Sequence, residues 1–318
     1  MKIIITGALG FIGSNLAHWI IENTKDEIMG IDNLSGGFIE NMPVAERFHF
    51  AQIDILNSAG INGAFEYFKP DVCFHLAAYA AESRSNAIRV FNHTNNTVGT
   101  ATIINACVNY KVKLIFTSSV AVYSGTPPFN ENTIPNPIDE YGLSKWCSEK
   151  SIEIAHEQQG LDYCIIRPRN VYGQRQSLWD SQRNVFGIWM NQILNDKPMT
   201  IFDNGNNKRA FTYIEDILPC LYRAKDLRNE IVNLGSPTVY SIMQACMVLQ
   251  QVTGFKKVDF LPARHEVEQA YCTTLRQKEF LGYNNETPLY DGLKQMWRWA
   301  QRQPRREMIK PPELEIKL

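Results

Sequence analysis

Nowhere in this sequence does an apolar run last the roughly 18 residues that a membrane-spanning helix needs, so no membrane partner is expected. Paired cysteines are also missing. The seven cysteines, Cys73, Cys107, Cys147, Cys164, Cys220, Cys246 and Cys272, are odd in number, scattered and never in C-x-x-C spacing. That pattern excludes a disulfide framework and a zinc ribbon, and reads as reduced thiols of a cytoplasmic protein. Charge of one sign is absent too: 32 Lys and Arg face 33 Asp and Glu, which argues against nucleic acid as a partner. The six histidines, His18, His49, His75, His93, His156 and His265, form no H-E-x-x-H or other paired spacing, so no metal is expected. His75 reads as a structural residue at a strand end. The opening Met1-Lys2 leads straight into strand-like isoleucines rather than into the core of a secretory signal.

What is present is an ordinary globular composition, 44% hydrophobic and 20% charged, in 318 residues. That length accommodates a nucleotide-binding unit and a smaller second lobe. Short β-rich runs at 3–6, 27–32, 48–54, 72–76, 114–118 and 163–167 alternate with helical patterns, notably 14–23, 88–110 and 144–159. Such alternation predicts parallel strands with right-handed crossovers, a Rossmann-type, doubly wound α/β sheet. After residue 170 the rhythm changes: 174–183 is polar, 185–194 helical, and 198–202 and 210–214 look like strands around a turn at 203–207. We read 1–170 as the nucleotide-binding domain, with 209–235 returning to it. Residues 171–208 and 236–318 then form a smaller mixed α/β substrate lobe. The tail 305–318, with its Pro-Pro pair and many charges, reads as an extended or loose end.

Gly7, Gly10 and Gly13 follow the first strand and open a helix. The first permits a tight turn, the second lets backbone approach a pyrophosphate, and the third allows close helix packing. Phe11 and Ile12 lie within this turn. Asp32 ends the second strand about 20 residues on, where a carboxylate can hold an adenosine ribose. A carboxylate there repels a 2′-phosphate, and the next six residues, from Asn33 to Phe38, include no Arg or Lys. NAD is therefore favoured over NADP. Asp54, beside Ile55, is placed to meet the adenine amine, and Leu76, Ala77 and Ala78 are small or apolar where a cofactor would pass. Tyr141 and Lys145 are four apart, one helical turn on one face. An ammonium beside a phenol favours the phenolate, the form that serves as a general base for a hydroxyl. Alone, Y-x-x-x-K is equally a solvated helix pair; behind a dinucleotide turn it is a catalytic signature.

These residues resemble the extended short-chain dehydrogenase/reductase family, specifically its nucleotide-sugar epimerases and dehydratases. The resemblance covers nearly the whole chain, through Thr6–Gly13, Asp32 to Ser35, His75 to Ala78, Asn96 to Thr100, Thr117 to Tyr123, Tyr141 to Lys145, Arg167 to Gly173, Arg209 to Asp216 and Asn233 to Ser236. It implies Ser119 as the proton-relay hydroxyl, Tyr141 as base and Lys145 as the residue that tunes it and holds the nicotinamide ribose. It places Asn96 and Thr117 at the cofactor. It sets Asn170 and Asn184 facing the nucleotide diphosphate, Arg209 and Arg264 gripping it, Glu266 on the nucleotide's ribose, Phe202 among the substrate-binding residues, and Ala270 beside the sugar's C2 substituent. Two guanidiniums do offer the forked donors that a diphosphate needs, although a lone arginine more often forms a surface ion pair. Two departures stand out: Ala210 replaces the acid of an Arg-Asp-Phe triplet, and the loop after Arg264 is one residue short.

Relatives that dehydrate or decarboxylate the sugar carry acids directly after the relay serine, whereas Val120 and Ala121 stand here and neither moves a proton. The resemblance therefore implies C4 epimerisation through a transient 4-keto sugar. UDP is the expected nucleotide, with UDP-GlcNAc/UDP-GalNAc or UDP-glucose/UDP-galactose as the pair. A 4-ketosugar reductase or a UDP-glucuronate 4-epimerase would share the same residues. The faces of the 88–110 and 144–159 helices imply a homodimer joined by four helices.

Overall fold

Three consecutive isoleucines, Ile3 to Ile5, are fully buried. A strand whose successive side chains point to opposite faces can bury all three only between two layers. The computed structural model describes residues 1–182, 184–263 and 269–316. In it Lys2–Thr6 (β1), Glu27–Asp32 (β2), Phe48–Gln52 (β3), Val72–His75 (β4), Lys113–Thr117 (β5) and Tyr163–Pro168 (β6) join a seventh strand, Glu230–Leu234. All neighbours pair in parallel, in the order Glu230–Leu234, β6, β5, β4, β1, β2, β3. Order reverses at β1, the position at which open sheets of this kind leave a crevice for ligands. On one face Ile3, Ile5 and Phe74 pack with Leu16 and Ile20 of the helix Phe11–Asn23 (α1) and with Ile217 and Leu221. On the other, Ile4, Cys73 and Leu114 pack with Phe65, Ile104 and Ile152. The doubly wound α/β sheet is the one expected from the strand–helix rhythm.

Two elements differ from expectation. The 88–110 pattern is not one regular helix: Arg89–His93 and Gly99–Tyr110 are joined by a wide i→i+5 turn over Thr94–Val98. That run is rich in Thr and Asn, whose side chains compete for local backbone partners. The 144–159 helix begins earlier, at Glu140, because Asp139 caps it: its Oδ1 accepts the Gly142 N–H at 2.7 Å. Tyr141 therefore lies in the first helical turn. Beyond β6 the small pairings Met199–Phe202 with Val258–Leu261, and Lys208–Ala210 with Val239–Ser241 and Gln269–Ala270, form smaller separate sheets. Among the described residues no helix is long and apolar enough to cross a membrane.

Candidate active site

A cleft of about 1270 Å³ opens at the C-terminal ends of β1, β2, β4 and β5 and runs to Phe202 and Arg209. Its floor is the glycine turn. Gly7 adopts φ +69°, and a Cβ on Gly13 would stand 2.1 Å from the Gly7 carbonyl oxygen. Only glycine at both positions lets α1 start this close to β1, with its first N–H groups facing the cleft. Asp32, at the end of β2, accepts the Leu9 N–H at 3.0 Å and the Leu34 N–H at 2.8 Å, and also lines the cleft. Burial raises its pKa, and the backbone donors oppose that shift.

The helix Glu140–Gln159 brings Tyr141 and Lys145 to the same wall. Lys145 reaches the end of β5, where Nζ donates to the Thr117 carbonyl at 2.8 Å, 6.0 Å from the Tyr141 ring centroid. Ser119 opens a short helical turn, its Oγ accepting the Ala121 N–H at 3.1 Å, which leaves the hydroxyl proton to be donated. Nearby, Thr117 Oγ1 and Ser118 Oγ are buried without a hydrogen-bond partner among the described residues. Buried hydroxyls of this kind suit a polar ligand.

Lys145 is 4% exposed. Burial lowers its pKa from 10.5 to about 7, with Glu149 pulling the other way. An unfolded lysine keeps its proton up to about 10.4. Between those values the unfolded chain binds more protons here than the folded one, so stability rises with pH across that window. The melting temperature of the ligand-free protein should gain more between about pH 7 and about pH 9 in wild type than in Lys145→Met. Parallel profiles for the two proteins would refute the assignment.

Behind the cleft runs a buried polar line. Thr100 donates to the Asn96 carbonyl at 2.5 Å, so its oxygen accepts from His75 Nε2 at 3.0 Å. His75 Nδ1 then accepts from the Thr6 hydroxyl at 2.7 Å, whose oxygen receives the Ala77 N–H at 3.4 Å. Burial lowers the His75 pKa to about 3, so the imidazole is neutral and this tautomer closes every bond. His75 is structural, as its strand-end position suggests.

Most residues singled out from sequence line the cleft: Gly7, Gly10, Phe11, Ile12, Gly13, Asp32, Asn33, Ile55, Leu76, Ala77, Ala78, Thr117, Ser119, Tyr141, Lys145, Asn170, Asn184, Phe202 and Arg209. Two do not. Asp54 lies outside the lining, its carboxylate accepting Asn33 Nδ2 at 2.7 Å and the Leu56 N–H at 2.8 Å. Asn96 is buried behind the wall and holds Tyr79 by both backbone groups, at 2.8 Å and 3.0 Å. Tyr79, not Asn96, reaches the cleft. Asn184 also caps the helix Val185–Leu194 through the Phe186 N–H. Arg264 and Glu266 lie outside the described residues. The backbone of Ala270 pairs opposite Arg209.

Sequence reasoning missed several lining residues. Arg175, at φ +63°, donates to Asn15 Oδ1 of α1 at 2.8 Å and so ties the 174–183 loop to the helix that follows the glycine turn. Gln176 and Asp180 follow it along the wall. The polar loop 174–183 has no periodicity to mark its inward positions. Ile309–Glu313 of the tail also line the cleft, and nothing local in the sequence announces that.

Three known proteins are similar to this chain along nearly its whole length. A UDP-glucose 4-epimerase of Mycolicibacterium smegmatis is 30% identical over 304 residues, covering 92% of this chain and 96% of its own. The crystal structure of UDP-glucose 4-epimerase from Thermotoga maritima with UDP-glucose superposes with a TM-score of 0.89 at 29% identity, over 95% of this chain and 99% of that one. UDP-glucuronic acid 4-epimerase from Bacillus cereus, in complex with UDP-glucuronic acid and NAD, gives 0.87 at 29% identity over the same shares. The model of the NAD dependent epimerase/dehydratase family matches residues 3–235, and with the glycine turn, Tyr141 and Lys145 in place, the chain belongs to that family.

Proposed function

We propose that the protein interconverts the C4 epimers of a UDP-linked sugar with NAD as its resident cofactor. The observation that carries this reading is Tyr141 and Lys145 on one helix face at the end of β5, with Ser119 in the same cleft and only Val120 and Ala121 after it. In this reading Tyr141 takes the C4 hydroxyl proton, directly or through Ser119, and returns it to the product. When bound, NAD supplies an acceptor that takes the C4 hydride and gives it back, so none is consumed. Gly7, Gly10 and Gly13 receive its pyrophosphate, Asp32 its adenosine ribose, and Lys145 its nicotinamide ribose. Residues 171–208 and 236–318 make up the sugar-nucleotide lobe. There Asn170, Asn184 and Phe202 meet the nucleotide, Arg209 and Arg264 its diphosphate, and Glu266 its ribose. A sugar gripped mainly through its nucleotide is free to offer both ketone faces. In this reading the small residue Ala270 stands beside the sugar's C2 substituent and admits an N-acetyl group.

The experiment is incubation with UDP-GlcNAc, UDP-glucose and UDP-glucuronate separately, without NADH, followed by separation of the sugars. The third substrate is included because chains similar to this one are UDP-glucuronate 4-epimerases. We expect conversion of UDP-GlcNAc and UDP-glucose at comparable rates. Activity on UDP-glucose alone would sink the assignment of Ala270. No conversion of any would move the reading to a reductase that needs a 4-keto sugar and NADH.

The scattered, unpaired thiols support a cytoplasmic enzyme. Val98 and Ile154 lie on the two long helical segments, 54% and 58% exposed, and support a homodimer formed across those helices. Light scattering at micromolar concentration should give twice the 36.4 kDa chain mass; a monomer mass refutes it.

A further inference from the structure

Residues 304–316 have no regular secondary structure, yet they are fastened at two places on either side of β1. At the first, Arg306 donates to Glu40 Oε1 at 2.6 Å, and its guanidinium lies 5.0 Å from the Phe38 ring and 5.1 Å from the Trp179 ring. Three residues on, the Ile309 N–H donates to the Trp179 carbonyl at 2.7 Å. At the second, Arg84 Nε donates to the Pro312 carbonyl at 3.1 Å, and the Glu315 N–H donates to the Ala87 carbonyl at 2.9 Å. The Glu315 carboxylate accepts the N–H groups of Val90 and Phe91 at 2.7 and 2.8 Å. Phe38 and Glu40 follow β2, and Arg84 to Phe91 follow β4. The stretch between the fastenings, Ile309–Glu313, faces the cleft.

We propose that this tail is a strap forming the outer wall of the cleft, and that it holds a bound dinucleotide in place between turnovers. The inference rests on the dinucleotide reading of the cleft given above. A dinucleotide in this fold crosses the strand ends at the switch point, β1 with its neighbours β2 and β4, and the strap spans that line. Pro311 and Pro312 fix the backbone of the middle stretch in an extended form, which lowers the ordering cost of a bridge. Single exposed ion pairs hold little. Here an ion pair, two ring contacts, two backbone N–H bonds and a helix-end carboxylate act on one chain, so the strap opens only when several give way together. An epimerase that regenerates its cofactor gains from slow release.

The test is the release rate of labelled NAD, preloaded and chased with excess unlabelled NAD, from three proteins. They are the full chain, a chain ending at Gln303, and full-length Arg306→Ala/Glu315→Ala. We expect both altered proteins to release NAD at least about tenfold faster. If the shortened chain fails to fold, as judged by thermal melting, the double variant decides. Equal rates would overturn the strap and leave the cofactor reading intact. A full-length protein that retains no NAD at all would overturn both.

Discussion

Replacing Tyr141 with phenylalanine is expected to cut epimerisation about a thousandfold, the scale of a lost general base, while the cofactor stays bound. The substitution removes one oxygen and keeps the ring that packs against Lys145. Lys145 still anchors on the Thr117 carbonyl, and the glycine turn is untouched. The loss should therefore fall on kcat, with KM for the sugar nucleotide and the bound NAD nearly unchanged. Steady-state kinetics and cofactor release on denaturation check both halves. Activity within tenfold of wild type would place the base elsewhere.

The second large effect lies in stability. Arg167, on β6, and Glu149, on the helix of Tyr141 and Lys145, are 2% and 1% exposed. Their fork closes at 2.8 Å from Nε to Oε1 and at 2.5 Å from Nη2 to Oε2. Arg167 Nη1 also donates to the Tyr123 hydroxyl, which in turn donates to Asn233 of the seventh strand at 3.1 Å. Burial pushes the Tyr123 pKa up to about 12, so the phenol remains a donor. Arg167→Met would keep the stem and strand Glu149 as a lone buried carboxylate, at a cost of about 3–5 kcal/mol. The melting temperature should fall by roughly 5–7 °C. Arg167→Met/Glu149→Leu should recover much of that loss, since no charge is left buried. A single variant that melts within about 2 °C of wild type would show that the pair does not hold the helix.

The sheet was legible because its signals are local. Buried β-branched runs, a glycine turn and a carboxylate at a strand end each act within a few residues. The Tyr141–Lys145 spacing was legible for the same reason. What stayed hidden depends on partners distant in sequence. Asn96 sits in a run that suits a helix, but the Tyr79 backbone, 17 residues away, turns its amide behind the wall. Asp54 has the right chemistry for adenine, yet Asn33, 21 residues earlier, engages it. The tail reads as an extended or loose end, and residues 305–316 carry no regular secondary structure. That it is also docked follows from Glu40, Arg84 and Trp179, none of which leaves a mark on residues 305–316.

The polar line from Thr6 through His75 and Thr100 to Asn96 has a bearing on anyone redesigning this chain for another sugar. Each member uses its neighbour's only suitable atom, and the neutral imidazole permits one arrangement of the protons. A library that varies the rim, at Gln176, Ser177 or Gln192, would leave that arrangement alone. One that varies Asn96 would release the Tyr79 backbone, and one that varies Thr100 would leave His75 Nε2 without its acceptor and disturb Thr6 and Ala77. Latitude for new specificity thus lies with Gln176, Ser177 and Gln192, and the polar line offers almost none.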